Sequence, residues 1–152
     1  MTTAVFVDST TLIYPLDRTA GTKKVECEAW LKTLRRSRLL VLSPQVLNES
    51  YWVVMRKPAF VSARPALRAY LQDYMPWATA PLVADTLTEA LALTDRYRLR
   101  FWDALLLASA GQSSCDYFLS EDLNDGQLYG AVRALNPFRH APADVLGPTA
   151  LT

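Results

Sequence analysis

Ala4-Val5-Phe6-Val7-Asp8 and its counterpart Tyr117-Phe118-Leu119-Ser120-Glu121-Asp122 are the stretches that decide the fold. Each is a short apolar run rich in β formers that stops at turn residues and a carboxylate. Runs of this length and character read as strands buried in a parallel sheet. In open α/β sheets, ligands bind beyond the carboxyl ends of the strands, where the strand order reverses. Two strands that each deliver an Asp to that edge predict a site there.

Working outward, strands alternate with helices. After the first strand, Leu12-Ile13-Tyr14 reads as a short helical turn broken by Pro15. A helix over Gly21–Arg36 places Val25, Ala29 and Leu34 on its buried side, joined by Trp30, and Leu39–Leu42 is the second strand. Ser43-Pro44 supplies a hydroxyl N-cap and a proline at the first helical position, and this helix stops at Lys57, before Pro58. Further helices are predicted over Ser62–Tyr74, Asp85–Tyr97 (Leu87, Ala90, Leu91 and Thr94 at helical spacing) and Phe101–Ala110. Short strands are predicted within Trp77–Pro81, at Asp116–Leu119 and at Val132–Leu135. Residues 1–140 form one domain, and 141–152 read as a C-terminal tail that need not be ordered. The class is α/β, a central mostly parallel sheet with helices on both faces. Strand order 3-2-1-4-5 makes the first and fourth strands neighbours and brings Asp8 to Asp122.

The chain has 152 residues, half of them hydrophobic, with a net charge of +1, so it is globular and does not announce a nucleic-acid partner through global charge. Six of its 16 basic residues fall between Lys23 and Arg38, and Arg96, Arg98 and Arg100 form a second group. Neither a signal leader nor an apolar stretch of transmembrane length is evident, so a soluble cytoplasmic protein with no membrane partner is expected. Cys27 and Cys115 have neither metal-ligand nor disulfide-scaffold spacing and read as buried free thiols of a reducing compartment.

Two more carboxylates stand on apolar helical stripes. Glu49 lies between Val46 and Val53, and Asp103 shares its face with Leu106, Leu107 and Ala110. Taken singly, Asp103 starts a helix, Glu49 sits on a rim, and Asp8 and Asp122 close turns. Taken together, four such placements coincide with a site. A buried carboxylate costs several kcal/mol unless an arginine, N–H donors or a metal ion compensates it. Oxygen ligands select hard cations, Mg²⁺ or Mn²⁺, which promote displacement at phosphorus. Ser9, Thr10 and Ser120 add hydroxyls beside the acids. Rival chemistries lack parts. The single histidine, His140, stands in a Pro-flanked segment, no Gly-rich phosphate loop is present, and Thr10 occupies the position where an aspartyl-phosphatase needs a second Asp.

The motifs Val7-Asp8-Ser9-Thr10, Asn48-Glu49, Trp102-Asp103-Ala104-Leu105, Leu119-Ser120-Glu121-Asp122 and Asn136-Pro137-Phe138, in this order and spacing, resemble the PIN-domain ribonucleases, specifically the VapC-type toxins of bacterial toxin–antitoxin pairs. The resemblance implies a PIN-like three-layer sandwich and a Mg²⁺- or Mn²⁺-dependent endoribonuclease. It also implies a homodimer and a cognate antitoxin whose C-terminal segment covers the acidic cleft. Carried over by position, it assigns metal binding to Asp8 and Asp103, completed by Glu49 and Asp122. Ser120 matches the family's hydroxyl position, and Asp125 matches a further acid found in some members. Thr10 departs from the Asn common there.

The substrate expected on this reading is single-stranded or loop RNA, whose flexible backbone can enter a recessed pocket. Candidate phosphate contacts are Arg96, Arg98, Arg100, Lys23, Lys24, Arg35 and Arg36. The alternatives are a structure-specific DNA nuclease and a catalytically inactive acidic cleft that receives a basic peptide. Tyr51, Trp52, Phe60, Trp77 and Trp102 are more aromatic surface than one small core obviously needs and are candidates for a dimer interface.

Overall fold

A computed structural model describes residues 3–147. Strand β1 (Val5–Val7) runs into helix α1 (Ser9–Ile13) and a 3-10 turn at Tyr14–Leu16. Next come α2 (Thr22–Ser37), β2 (Leu40–Val41), α3 (Pro44–Arg56) and α4 (Arg64–Tyr74), with a 3-10 stretch at Pro58–Ala63 between the last two. A helical hairpin of α5 (Ala84–Tyr97) and α6 (Phe101–Gln112) precedes β3 (Tyr117–Leu119), β4 (Leu128–Tyr129), β5 (Val132–Leu135) and α7 (Pro142–Leu146).

The sheet has the order β2-β1-β3-β5-β4, parallel except for β4 against β5. Val7 stands opposite Leu119, so the two strands expected to carry aspartates are neighbours at the switch point. Val5, Phe6 and Val7 are all fully buried, which requires cover on both faces of β1. That cover comes from helices, including Trp30, Leu31 and Leu34 of α2 and Leu106, Leu107 and Ala110 of α6. Within the sheet the Phe6 and Phe118 rings stack, 5.1 Å apart and nearly parallel. The α/β class and the flanking helices are as expected.

Several local expectations need correction. Trp77–Pro81 is not a strand. A 3-10 turn at Met75–Trp77 leads into an extended piece in which the Leu42 N–H donates to Trp77 O and the Ala80 N–H donates to Leu42 O, each at 2.9 Å. The segment thus occupies the place beside β2 that the order 3-2-1-4-5 gave it, but Pro76 and Pro81 lack the N–H groups that would extend a ladder. Strand β4 went unanticipated because it is only two residues long, turned back into β5 at Gly130, whose φ of 64° suits glycine.

On α2 the buried stripe is Cys27, Trp30, Leu31 and Leu34, while Val25 and Ala29 are exposed. Apolar residues at i, i+3, i+4 and i+7 outweigh a lone valine in setting the face. On α5 the buried residues are Thr86 and Ala90, and Leu87 and Leu91 stay exposed. Ala90 meets Ala104 and Ala108 of α6, and small side chains at that contact bring the two axes close and turn the leucines outward.

The segment after residue 140 begins as a helix, α7, with Val145 and Leu146 against the core. The Trp30 indole N–H ties the preceding turn down by donating to Pro137 O and His140 O, both at 3.0 Å. Residues 148–152 of the expected tail lie outside the described residues.

Ser43 takes the N-cap position of α3 as expected, but its buried hydroxyl makes no hydrogen bond among the described residues. A working serine cap is worth about 1 kcal/mol, whereas a buried hydroxyl without a partner costs stability. Ser43→Ala is therefore expected to change stability by no more than about 0.5 kcal/mol, or to raise it. Denaturant titration checks this, and a loss of a full cap's worth would show the hydroxyl to be bonded.

Candidate active site

β1 ends at a carboxylate that caps the next helix. Asp8 is the N-cap of α1, and its Oδ1 accepts the Thr11 N–H at 2.9 Å. Only 6% of Asp8 is exposed. Burial dominates its ionisation and raises its pKa from 3.8 to about 6; hydrogen bonds from Thr11 and Ser120 oppose the rise, and the nearby Asp122 charge adds to it.

Asp122 follows β3 through a short turn in which the Ser120 hydroxyl oxygen accepts the Asp122 N–H at 3.1 Å. Burial, then the charges of Asp103 and Glu121, raises its carboxyl above the ordinary value, against Arg100 and Lys23. Glu49 projects from α3 with both oxygens engaged, Oε2 accepting from Ser9 at 3.0 Å and Oε1 from Gln45 at 3.1 Å. Asp103 stands in the first turn of α6, where the helix dipole favours a negative charge. The Arg100 Nε donates to Asp103 at 3.1 Å, and its Nη2 lies 4.0 Å from Asp122.

Asp8, Glu49, Asp103 and Asp122, from four separate elements, line one cavity of about 190 Å³ together with Ser9, Thr10, Arg100 and Trp102. Ser120 is buried, bonded to Asp122. Asp125 is not in the cavity wall. It accepts the Asn136 N–H at 2.8 Å and meets the His140 ring at 2.9 Å. Desolvation acts to raise the Asp125 carboxyl, but these partners outweigh it and hold the group below its usual value.

Of the seven basic residues expected at the rim, Arg100 lines the cavity and the other six do not. Lys23 bonds Glu121 at 2.8 Å and lies over the Phe138 ring, and Lys24 pairs with Glu28. Arg35 stacks on Tyr74 and, with Arg36, borders a separate groove of about 670 Å³ that also holds Leu31, Tyr70 and Trp77. Arg96 stacks on Tyr97, and Arg98 closes α5 in the left-handed conformation. Arg100 itself is exposed, and ion pairs of that kind contribute at most about 1 kcal/mol, so its hold on the two aspartates is weak.

Phe60, expected at an interface, is buried within its own helical cluster, and Trp77 packs half-buried on the main core. Tyr51, Trp52 and Trp102 are exposed. Sequence reasoning missed Gln45 as a partner of Glu49, although its spacing of i−4 on one helix is the signal. It also missed Tyr14, whose hydroxyl donates to Glu121 beside the site. Both cysteines are free and buried as expected, and burial pushes each thiol up to about 12.

The PIN domain family model matches residues 5–125, and the chain belongs to that family. Its structure is similar to that of FitAcB from Neisseria gonorrhoeae, at a TM-score of 0.63 and 18% identity, covering 90% of this chain and 99% of that one. It is also similar to VapBC2 from Rickettsia felis, solved bound to a DNA fragment from its promoter, at a TM-score of 0.61 and 11% identity, covering 88% and 98%. Likeness at these identities is one of fold. No curated protein matches the chain.

Proposed function

We propose that this protein is a metal-dependent endoribonuclease that cleaves single-stranded or loop RNA, the toxin of a toxin–antitoxin pair. The observation that carries the reading is the shared cavity of Asp8, Glu49, Asp103 and Asp122 at the switch point of a PIN sheet. The structural likeness to FitAcB and VapBC2 supports a partner protein acting as antitoxin. On this reading the C-terminal segment of that partner covers the acidic cleft.

The donor set fits a hard cation. It is built of carboxylate oxygens with hydroxyls behind them, and Asp8 is an acid kept out of water with no cation of its own. Among the described residues no three such side chains stand close enough to be a finished metal centre, and the Arg100 guanidinium sits between Asp103 and Asp122. Asp8, Glu49, Asp103 and Asp122 would hold Mg²⁺ or Mn²⁺. Such an ion supplies a more acidic water and neutralises charge at the phosphate. Ser9 and Gln45 fix the Glu49 carboxylate, Ser120 fixes the Asp122 turn, and Arg100, free to swing, meets phosphate oxygens.

A second reading keeps the cleft as a receptor for a basic peptide. The position of Arg100 favours it, since it shows that a guanidinium can bond Asp103 at 3.1 Å and approach Asp122 to 4.0 Å. Side-by-side digestion of RNA, single-stranded DNA and flapped duplex tests the first reading. RNA is expected to be cut with Mg²⁺ or Mn²⁺, and chelation is expected to abolish the reaction. Chelator-insensitive cutting would exclude the metal scheme, and calorimetry showing no uptake of Mn²⁺ would favour the peptide receptor.

The reading includes a homodimer, for which the exposed stripe of Val83, Leu87 and Leu91 along α5 gives a face, and action in the cytoplasm, consistent with the free thiols. Among the described residues no helix is long and apolar enough to cross a membrane.

A further inference from the structure

A second cavity, of about 380 Å³, adjoins the acidic one and shares Glu49 and Trp102 with it. Its other walls are Gln45, Asn48 and Trp52. Gln45, Asn48, Glu49 and Trp52 recur at helical spacing, so α3 presents them as one stripe, and Trp102 faces them from the start of α6. Both indoles are largely exposed, at 61% for Trp52 and 57% for Trp102. Two large apolar rings left in water at one place mark a binding surface rather than a packing accident.

We infer that this cavity receives an unstacked nucleobase of the RNA, the one beside the phosphate held in the acidic cleft. The inference rests on the nuclease reading and names the substrate contact it lacks. Indole faces stack on any base. The amides of Gln45 and Asn48 each carry a donor and an acceptor, the groups that read a base edge and have no use against a hydrocarbon partner. The Glu49 carboxylate on the shared wall repels a phosphate but tolerates a neutral base. Positive charge lies outside the pocket instead. The Arg56 guanidinium rests 5.0 Å from the Trp52 ring centre, and Arg100 lies across the acidic cleft, so backbone phosphates meet cations on both sides of the buried base.

The test is equilibrium binding of a single-stranded eight-nucleotide RNA of mixed sequence to the full chain carrying Asp8→Asn, which blocks cleavage. Indole emission and anisotropy of an end label are both followed. Of the other two tryptophans, Trp30 is buried and Trp77 is half-buried on the core beside a different groove, so a change in emission that is lost in Trp52→Ala and Trp102→Ala reports these indoles. Quenching is expected on binding. Adding Trp102→Ala is expected to weaken binding about 10-fold and Trp102→Phe to restore most of it, in line with the worth of one stacked base. An oligonucleotide made abasic at its central positions should bind the Trp102-bearing protein as weakly as the intact RNA binds the alanine variant.

Unchanged affinity in Trp102→Ala and Trp52→Ala would overturn the proposal. A loss of affinity that tracks a fall in mass by light scattering would also overturn it, by showing these indoles to be a contact between two copies of the chain. The nuclease reading fails separately. If the wild-type protein binds with quenching but never cuts, the base pocket stands and the hydrolytic role does not. If it cuts while both alanine variants bind normally, the reverse holds.

Discussion

Asp8→Asn is expected to abolish RNA cleavage and at the same time to make the protein harder to unfold. The second half follows from where Asp8 sits. Its pKa is raised to about 6 in the folded chain against an ordinary value of 3.8. Between those values the native state binds the proton more tightly than the unfolded state does, so stability falls as pH rises through this window and the penalty is complete above about pH 6. Two pH units correspond to roughly 2–3 kcal/mol, an upper bound before relaxation, and several degrees in midpoint for a domain of this size. Asparagine is isosteric, still accepts the Thr11 N–H as an N-cap, and carries no charge to desolvate. Thermal scans from pH 4 to 7 should show a wild-type decline that is much reduced in the variant, where of these two raised carboxyls only Asp122 remains. Mn²⁺ should raise the midpoint of the wild type and not of the variant. The activity loss should be about 100- to 1,000-fold, the order found when one group that stabilises charge at the reacting centre is removed. A variant that cuts RNA at the wild-type rate removes Asp8 from the chemistry.

Phe118→Ala is expected to cost about 3–5 kcal/mol, a large part of the 5–15 kcal/mol that holds a typical domain together. Phe118 is 1% exposed, and its ring stacks on Phe6 from the neighbouring strand. Deleting it leaves a cavity on the face of the sheet beside Phe6, over β1 and β3, the two strands whose ends carry Asp8 and Asp122. Urea titration reads the stability loss. Because the spacing of the two acids depends on that contact, cleavage below the midpoint should fall too, and Phe118→Leu should recover most of both. A cost under about 1 kcal/mol would mean that the ring is not a core contact.

How much of this was legible beforehand differs from element to element. β1 and β3 were plain because a fully buried strand must be apolar on both faces, and the acids at their ends broke that pattern abruptly. Topology brought Asp8 to Asp122 once β1 and β3 were taken as neighbours, whereas Glu49 and Asp103 joined them only as carboxylates on apolar stripes and through the resemblance. The faces of α2 and α5 were misjudged because helical spacing alone does not say which of two apolar stripes a small-residue contact such as Ala90 against Ala104 will bury. Most of the expected rim residues lie away from the cavity wall for another reason. A long basic side chain near the site in sequence is drawn to any carboxylate or ring within reach, as Lys23 is to Glu121 and Arg96 to Tyr97. The Trp77–Ala80 segment pairs with a single residue, Leu42, which no periodicity encodes.

That single-residue pairing has a consequence for how other proteins can approach. Leu42 has both its N–H and its C=O committed to the passing segment, and at the opposite margin β4 is only two residues long. Among the described residues, the β2 margin at Leu42 and the short β4 therefore leave little main chain on which a visiting polypeptide could zip itself as an extra strand. Recognition of this molecule then falls chiefly to side chains on its helical flanks, where binding strength is tuned one residue at a time.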